Sequence, residues 1–291
     1  MIILRDKPGQ LCNRLWSFSF FIAYGLKNNI NIYIPNLKEY ESLFENLHQF
    51  SNIKFNLSKN NRIEKLIQIG VLFIYLFNKI KIGFLFRIFN IYFPDKNFLN
   101  ESYLSKNRMY YINSWKHKKD YEAIVEFKPE IIRLFTPKKE FREKTDKLFP
   151  ELKSMYNILI GVHIRKGDYM NYHNGSYYFD DSVYSRYMNM LVAEQGIKKI
   201  GFFISTNEPI DPQKFIGLNI HLLDNSLGIE DLYALSKCNY IMGPPSTFSM
   251  WASYYGSVPL KLIENKNETF SIDDFSVIRY QNHFENGKKY N

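Results

Sequence analysis

The stretch that most constrains this chain is Asn157–Ile164, a run of mostly Ile, Leu and Val that ends abruptly in Arg165, Lys166, Gly167 and Asp168. Such a run reads as a strand buried on both faces, which is the signature of a parallel sheet covered by helices. In open α/β sheets the carboxyl end of a strand opens into the crevice where ligands bind. Two cations and a carboxylate at that point are costly unless an anion meets them. Arg165 offers a planar fork that matches phosphate oxygens, and Lys166 adds a point charge beside it.

The rest of the chain supports an α/β reading. Met1–Leu4 predicts a strand, Arg5–Gly9 a loop, Asn13–Lys27 a helix with apolar residues at helical spacing, and Ile30–Ile34 a second strand stopped by Pro35. This is a βαβ unit. Helices then dominate to about Pro150, with weak strand signals at Ile53–Leu57 and Met109–Asn113. The second half alternates clearly. Strands are predicted at Asn157–Ile164, Ile200–Ser205, Asn219–Leu223, Tyr240–Met242 and Val258–Leu262, and helices at Ser182–Gln195, Ile229–Ser236 and Thr247–Tyr255. Two doubly wound, Rossmann-like domains are expected, residues 1–150 and 151–291, with the boundary in the charged segment between Phe135 and Tyr156.

Composition narrows the function classes. A chain of 291 residues, 45% hydrophobic and 23% charged, can bury a substantial core. The net charge of +9 suits an anionic ligand or surface, but no zinc-finger spacing or aromatic RNA-binding strand pair is present, so a nucleic-acid partner is not expected. Cys12 and Cys238 lie far apart and form no disulfide framework. Leu66–Phe77 and Ile82–Phe93 are apolar runs, each too short to span a bilayer. They read as buried core helices, as a basic-aromatic helical pair lying on a membrane, or as a short membrane-dipping hairpin.

Several polar residues sit where ligand chemistry is expected. His163 shares a strand face with Arg165 and is placed to orient the turn through its ring nitrogens. Ser246 and Thr247 follow Gly243-Pro244-Pro245 at a helix start, where a hydroxyl caps orphan amides and where a phosphate binds. Asp180-Asp181 and Asp273-Asp274 are adjacent pairs, without the Asp-x-Asp spacing of a metal-dependent sugar-nucleotide site. No metal ligand set is therefore expected, and a fixed guanidinium would supply the charge instead.

The segment His163-Ile164-Arg165-Lys166-Gly167-Asp168-Tyr169 resembles the hallmark of the α1,2-fucosyltransferases of glycosyltransferase family eleven, with related forms in α1,6-fucosyltransferases and protein O-fucosyltransferases. Three further segments resemble that family in the same order. Pro8-Gly9-Gln10-Leu11-Cys12-Asn13-Arg14-Leu15 stands in place of a Gly-rich loop, with Cys12 and Arg14 as departures. Phe202–Asn207 is similar to a strand ending in Ser-Asp-Asp, and Glu230–Cys238 with Pro245–Ala252 is similar to an Asp-Leu-Tyr and Ser-Ser-Phe-Ser region.

The resemblance implies a GT-B fold and an inverting, metal-independent transfer of fucose from GDP-fucose to a galactose 2-hydroxyl of a surface glycan or lipid-linked glycan. It implies donor contacts from Gly9, Asn13, Arg165, Lys166, Asn207, Asp231, Ser246 and Thr247. Arg165 would act on the leaving diphosphate, with His163 beside it. Candidates for the base that takes the acceptor proton are Asp168, His173, Asp180 and Asp181, and His173 is chosen because an acidic residue stands roughly there in the α1,6 relatives. Another nucleotide sugar or linkage on the same machinery, or a non-catalytic nucleotide-sugar or membrane-surface binding protein, stays open at this point. No leader or membrane anchor is read at the N-terminus, so a bacterial protein on the cytoplasmic side, peripheral to the inner membrane, is the expected setting.

Overall fold

The computed structural model describes residues 1–55, 91–92, 108–117, 120–196 and 198–290. The apolar runs between Leu66 and Phe93 lie almost wholly outside the described residues. The chain forms two compact units, Met1–Thr136 and Pro137–Asn291.

In the first unit the described strands are β1 (Ile2–Leu4), β2 (Ile32–Tyr33), β3 (Ile53–Lys54), β4 (Ile91–Tyr92) and β5 (Met109–Ile112). They pair in parallel in the order β3-β2-β1-β5-β4. Helix α1 (Leu11–Asn28) follows β1 directly and buries Leu15, Trp16, Phe18, Phe20, Phe21 and Ile22. Each such side chain contributes roughly 1.5–3 kcal/mol. The helix ends at Asn29, whose left-handed backbone (φ 50°) is tolerated by asparagine. Gly25 lets α1 lie close to β2, since a Cβ there would stand 2.4 Å from Ile32. Among the described residues, helices α2 (Tyr121–Glu126) and α3 (Lys128–Leu134) follow β5.

In the second unit, helix α4 (Lys139–Met155) leads into β6 (Ile158–Ile164), followed by α5 (Asp181–Gln195), β7 (Ile200–Thr206), β8 (Ile220–His221), α6 (Gly228–Leu235), β9 (Tyr240–Gly243), α7 (Thr247–Gly256) and β10 (Leu260–Leu262). The sheet is parallel, in the order β10-β9-β6-β7-β8. A short antiparallel hairpin, β11 (Ile278–Tyr280) and β12 (His283–Phe284), follows.

Strand β6 is central and buried on both faces. Ile160, Val162 and Ile164 join a core with Tyr184, Tyr187, Met188 and Leu191 of α5. On the opposite face Gly161 admits α6, because a Cβ there would stand 2.7 Å from Leu235 and 3.1 Å from the Cys238 sulfur. Residues 163 and 165 continue that face toward the strand's carboxyl end. Strands β7 and β8 lie on one side of β6, and β9 and β10 on the other. The strand order therefore reverses between β6 and β9, and the crevice for a ligand opens at their carboxyl ends.

Candidate functional site

The turn after β6 is built on Arg165. Its guanidinium grips Asp168 at two points, Nε to Oδ1 and Nη2 to Oδ2, each 2.9 Å. It also lies 5.7 Å from the centroid of the Tyr169 ring. Gly167 takes the left-handed conformation (φ +53°), and a Cβ there would stand 2.6 Å from a Glu208 carboxylate oxygen. Glycine is the residue that fits this turn.

Lys166 turns to a different task. Its ammonium binds the buried carboxylate of Asp181 at 2.8 Å and donates to the Pro209 carbonyl at 2.9 Å. Its backbone N–H donates to Asn207 Oδ1 at 2.8 Å. Lys166 and Asn207 thus lock the ends of β6 and β7 together. Asp180 caps α5 through the amides of Ser182 and Val183, so each carboxylate of that pair has a structural partner.

His163 is 3% exposed, and its Nδ1 has no hydrogen-bond partner. Burial first, and the Arg165 charge second, lower its pKa to about 3, so the ring is neutral. It packs 4.9 Å from the Phe248 ring. Gly243 passes directly beside it.

Across the crevice, β9 ends at Gly243, Pro244 and Pro245 follow, and Ser246 caps α7 by accepting from the Phe248 amide at 3.2 Å. Thr247 opens the helix. The Tyr169 hydroxyl donates to the Pro245 carbonyl at 2.6 Å. Tyr169 therefore ties the Arg165 turn to the amino end of α7, bringing a guanidinium and a set of helix amides to one crevice. Both favour phosphate oxygens.

A second buried polar group lines the carboxyl end of β7. Asp231 on α6 is 7% exposed and accepts from the Ser205 hydroxyl at 3.1 Å. Burial pushes its carboxyl up to about 6. Ser205 stands beside His163 in the strand register. The start of α6 is held by Lys144 of α4, which reaches Glu230 at 3.2 Å and the carbonyls of Asp224 and Asn225. Glu230 in turn accepts from the Leu227 amide at 2.6 Å. The Lys144–Glu230 clamp carries no motif and was not anticipated from the sequence.

The loop Met170–Tyr178 carries Tyr172, His173 and Tyr177. His173 and Asn174 both have positive φ (47° and 56°), an uncommon conformation for non-glycine residues. His173 lies on the surface, edge-on to Tyr172 at 4.4 Å.

Gly9 and Asn13 lie in the first unit, where β1 meets α1. Gly9 has φ +45°, and a Cβ on it would stand 2.2 Å from the Asn13 side chain. Arg14 is buried and holds the Gly9 and Asn36 carbonyls and the Glu39 carboxylate. At the carboxyl end of β1, Asp6 accepts from the Ser114 amide (2.7 Å), the Ser114 hydroxyl (2.8 Å) and the Trp115 amide (3.1 Å). Asp6, Ser114 and Trp115 mark the reversal point between β1 and β5. A weak strand signal at β5 concealed that point in the sequence. Of the expected site residues, the second unit ties Arg165 and Asp168 through Tyr169 to the start of α7 at Ser246 and Thr247, and sets His163 and Asp231 on either side of Ser205 at the neighbouring strand ends.

Among the described residues, no group of three or more His, Cys, Asp or Glu side chains is gathered to hold a metal ion. Among the same residues no helix is long and apolar enough to cross a membrane.

No family model and no curated protein matches the sequence. Solved structures do. The α-1,6-fucosyltransferase NodZ soaked with GDP-fucose is similar at a TM-score of 0.61 and 16% identity, covering 92% of this chain and 96% of its own; NodZ has also been solved from Bradyrhizobium. FUT1 of Arabidopsis thaliana in complex with GDP is similar at 0.58 and 11% identity, covering 100% of this chain and 78% of its own. POFUT1 in complex with GDP-fucose is similar at 0.54 and 9% identity, covering 91% and 96%. At these identities the likeness shows the fold, and the two parallel α/β units of this chain have the GT-B-type architecture of these fucosyltransferases.

Proposed function

We propose that the chain is an inverting, metal-independent glycosyltransferase that takes fucose from GDP-fucose and places it on a galactose 2-hydroxyl of a glycan or lipid-linked glycan. The observation that carries the reading is Arg165, tied through Tyr169 to the capped start of α7 at the strand-order reversal. The fold shared with proteins solved with GDP-fucose or GDP supports the donor. The α1,2 linkage rests on the motif resemblance alone.

In this reading Arg165, the α7 amides, Ser246 and Thr247 take the diphosphate. The acceptor oxygen bonds to fucose C1 as the C1–O bond to the β-phosphate breaks and GDP leaves with the electron pair. Arg165 meets the charge that develops on the leaving oxygen. Drawing Arg165 onto the diphosphate frees Asp168, whose side chain is 58% exposed, to accept the acceptor proton. His173 in the adjacent loop is the other proton acceptor. His163, held neutral, supports the turn rather than moving the proton. Asp231 receives the nucleoside, Asn207 fixes the backbone of the Arg165 turn, and Lys166, its ammonium taken up by Asp181 and the Pro209 carbonyl, braces that turn rather than meeting the diphosphate.

The test is release of nucleoside diphosphate from GDP-fucose, GDP-mannose, UDP-galactose and UDP-N-acetylglucosamine, with lactose present and EDTA added. GDP release from GDP-fucose, with an α1,2-fucosylated product by NMR, supports the reading. Release from a UDP-sugar replaces the donor. Nucleotide binding without turnover makes the chain a binding protein.

A further inference from the structure

The loop after Arg165 carries an aromatic stack that the donor chemistry leaves unused. Tyr169 is almost wholly buried, fixed at one edge by its bond to Pro245 and with Arg165 near its ring. Tyr172 stacks on Tyr169, with ring centroids 5.1 Å apart and planes 29° apart. Tyr169 stacks against one face of the ring, yet Tyr172 stays 47% exposed to solvent.

The stack is held in place. His173 meets Tyr172 edge-on at 4.4 Å, and Tyr177 lies 6.5 Å away, backed by Tyr290 at 6.4 Å. The His173 carbonyl accepts from the Ser176 hydroxyl at 2.7 Å, and the Tyr178 amide bonds to the Gly175 carbonyl at 3.0 Å. Two consecutive non-glycine residues, His173 and Asn174, are kept at positive φ. Each costs free energy, a cost that tends to be retained at ligand sites. A rigid ring with polar groups at its rim suits a ligand with an apolar face and polar edges.

We propose that Tyr172 is the platform on which the acceptor sugar lies. The ligand class is a pyranoside with a continuous C–H face, such as a β-galactoside, whose hydroxyls reach the polar rim formed by His173 and Asn174. A sugar seated there stacks on the ring that itself stacks on Tyr169 beside Arg165, so the platform and the leaving-group cation share one rigid unit. This inference rests on the glycosyltransferase reading and names the acceptor class for the same site.

The experiment uses the full chain and two probes, methyl β-D-galactopyranoside and lactose, read by saturation-transfer NMR without donor. GDP binding is read in parallel by calorimetry. Wild-type protein should give transfer to both sugars. Tyr172→Ala should weaken sugar binding about tenfold, the loss expected for one ring contact. Tyr172→Trp should keep it and report it by fluorescence. In transfer assays Tyr172→Ala should raise the acceptor KM by the same factor, with GDP affinity moving less than about twofold. Equal weakening of GDP and sugar, unchanged sugar binding in a folded Tyr172→Ala, or no sugar binding by wild type would each overturn the platform. Sugar binding on Tyr172 by a protein that binds no GDP supports the platform and overturns the fucosyltransferase reading instead.

Discussion

Arg165 and Asp168 form a two-point ion pair, with both N···O distances at 2.9 Å, at the mouth of the strand-order reversal in the second unit. The pair satisfies the guanidinium from within its own turn. It also sets a competition, because a diphosphate must draw Arg165 away from Asp168 or share it. Asp168 is largely exposed, so the pair is worth only about 0–1 kcal/mol. Asp168→Asn should tighten GDP binding by up to about fivefold while slowing sugar transfer, as seen by calorimetry and a GDP-release assay. Weaker GDP binding in Asp168→Asn would mean that Asp168 orients the guanidinium instead of competing for it.

Gly243 runs so close to His163 that a Cβ on it would stand 2.7 Å from the His163 carbonyl and 2.9 Å from its Cβ. Backbone cannot yield there without moving β9 or β6. Gly243→Ala should cost about 1–3 kcal/mol, measured by urea unfolding. Because the shift falls between the Arg165 turn and α7, GDP affinity should drop with it. A variant as stable as wild type would show that the two strands part easily.

Asp231 gives a pH signature. Its folded carboxyl titrates near 6 because it is buried, against about 4 in an unfolded chain. The folded protein keeps this proton between those values while the unfolded chain loses its own. The group's penalty is therefore absent below about pH 4 and complete above about pH 6, so its contribution to stability falls as pH rises across that window. Asp231→Asn should raise stability at about pH 7.5 by about 1–2 kcal/mol, with the gain vanishing at about pH 4. GDP binding should strengthen as pH rises through about 6 in wild type, where the carboxylate accepts from the nucleoside, and stay flat in Asp231→Asn. A flat wild-type profile would remove Asp231 from the donor site.

Lys166 and Asp181 form a largely buried pair, with side-chain exposures of 12% and 7%. Removing one partner from such a pair costs about 3–5 kcal/mol. Lys166→Met should lower the melting temperature strongly and lower GDP affinity less than Arg165→Ala does. If GDP affinity falls as far as in Arg165→Ala with stability intact, Lys166 reaches the diphosphate directly.

The sheet of the second unit was legible because β6 and β7 are seven-residue, mostly apolar runs and because α7 opens on the Ser246 cap; the Asp180 cap of α5 was not read. The first unit was harder to read. Strand β3 is two residues long and β5 four, too short for a period of two to show, so the signals at Ile53–Leu57 and Met109–Asn113 were weak, although β5 lies next to β1. Helix α4 runs through Pro150 to Met155, where the proline suggested an end. The Arg165 turn was visible because charge is expensive at the end of a buried strand unless an anion or a counter-ion meets it. The engagement of Lys166 with Asp181 was not, because the two are fifteen residues apart and meet only when α5 packs back on the sheet. The links from Tyr169 to Pro245 and from Lys144 to Glu230 span 76 and 86 residues and leave no local pattern.

Whether Arg165 stabilises a departing GDP is decided by single-turnover transfer from GDP-fucose to lactose. Wild type and Arg165→Ala would be compared at saturating donor, with circular dichroism to confirm the fold. A rate at least about 100-fold lower is expected in Arg165→Ala, with Arg165→Lys recovering little because a point charge lacks the two-point fork. A folded Arg165→Ala that transfers fucose at close to the wild-type rate would contradict this role for the guanidinium.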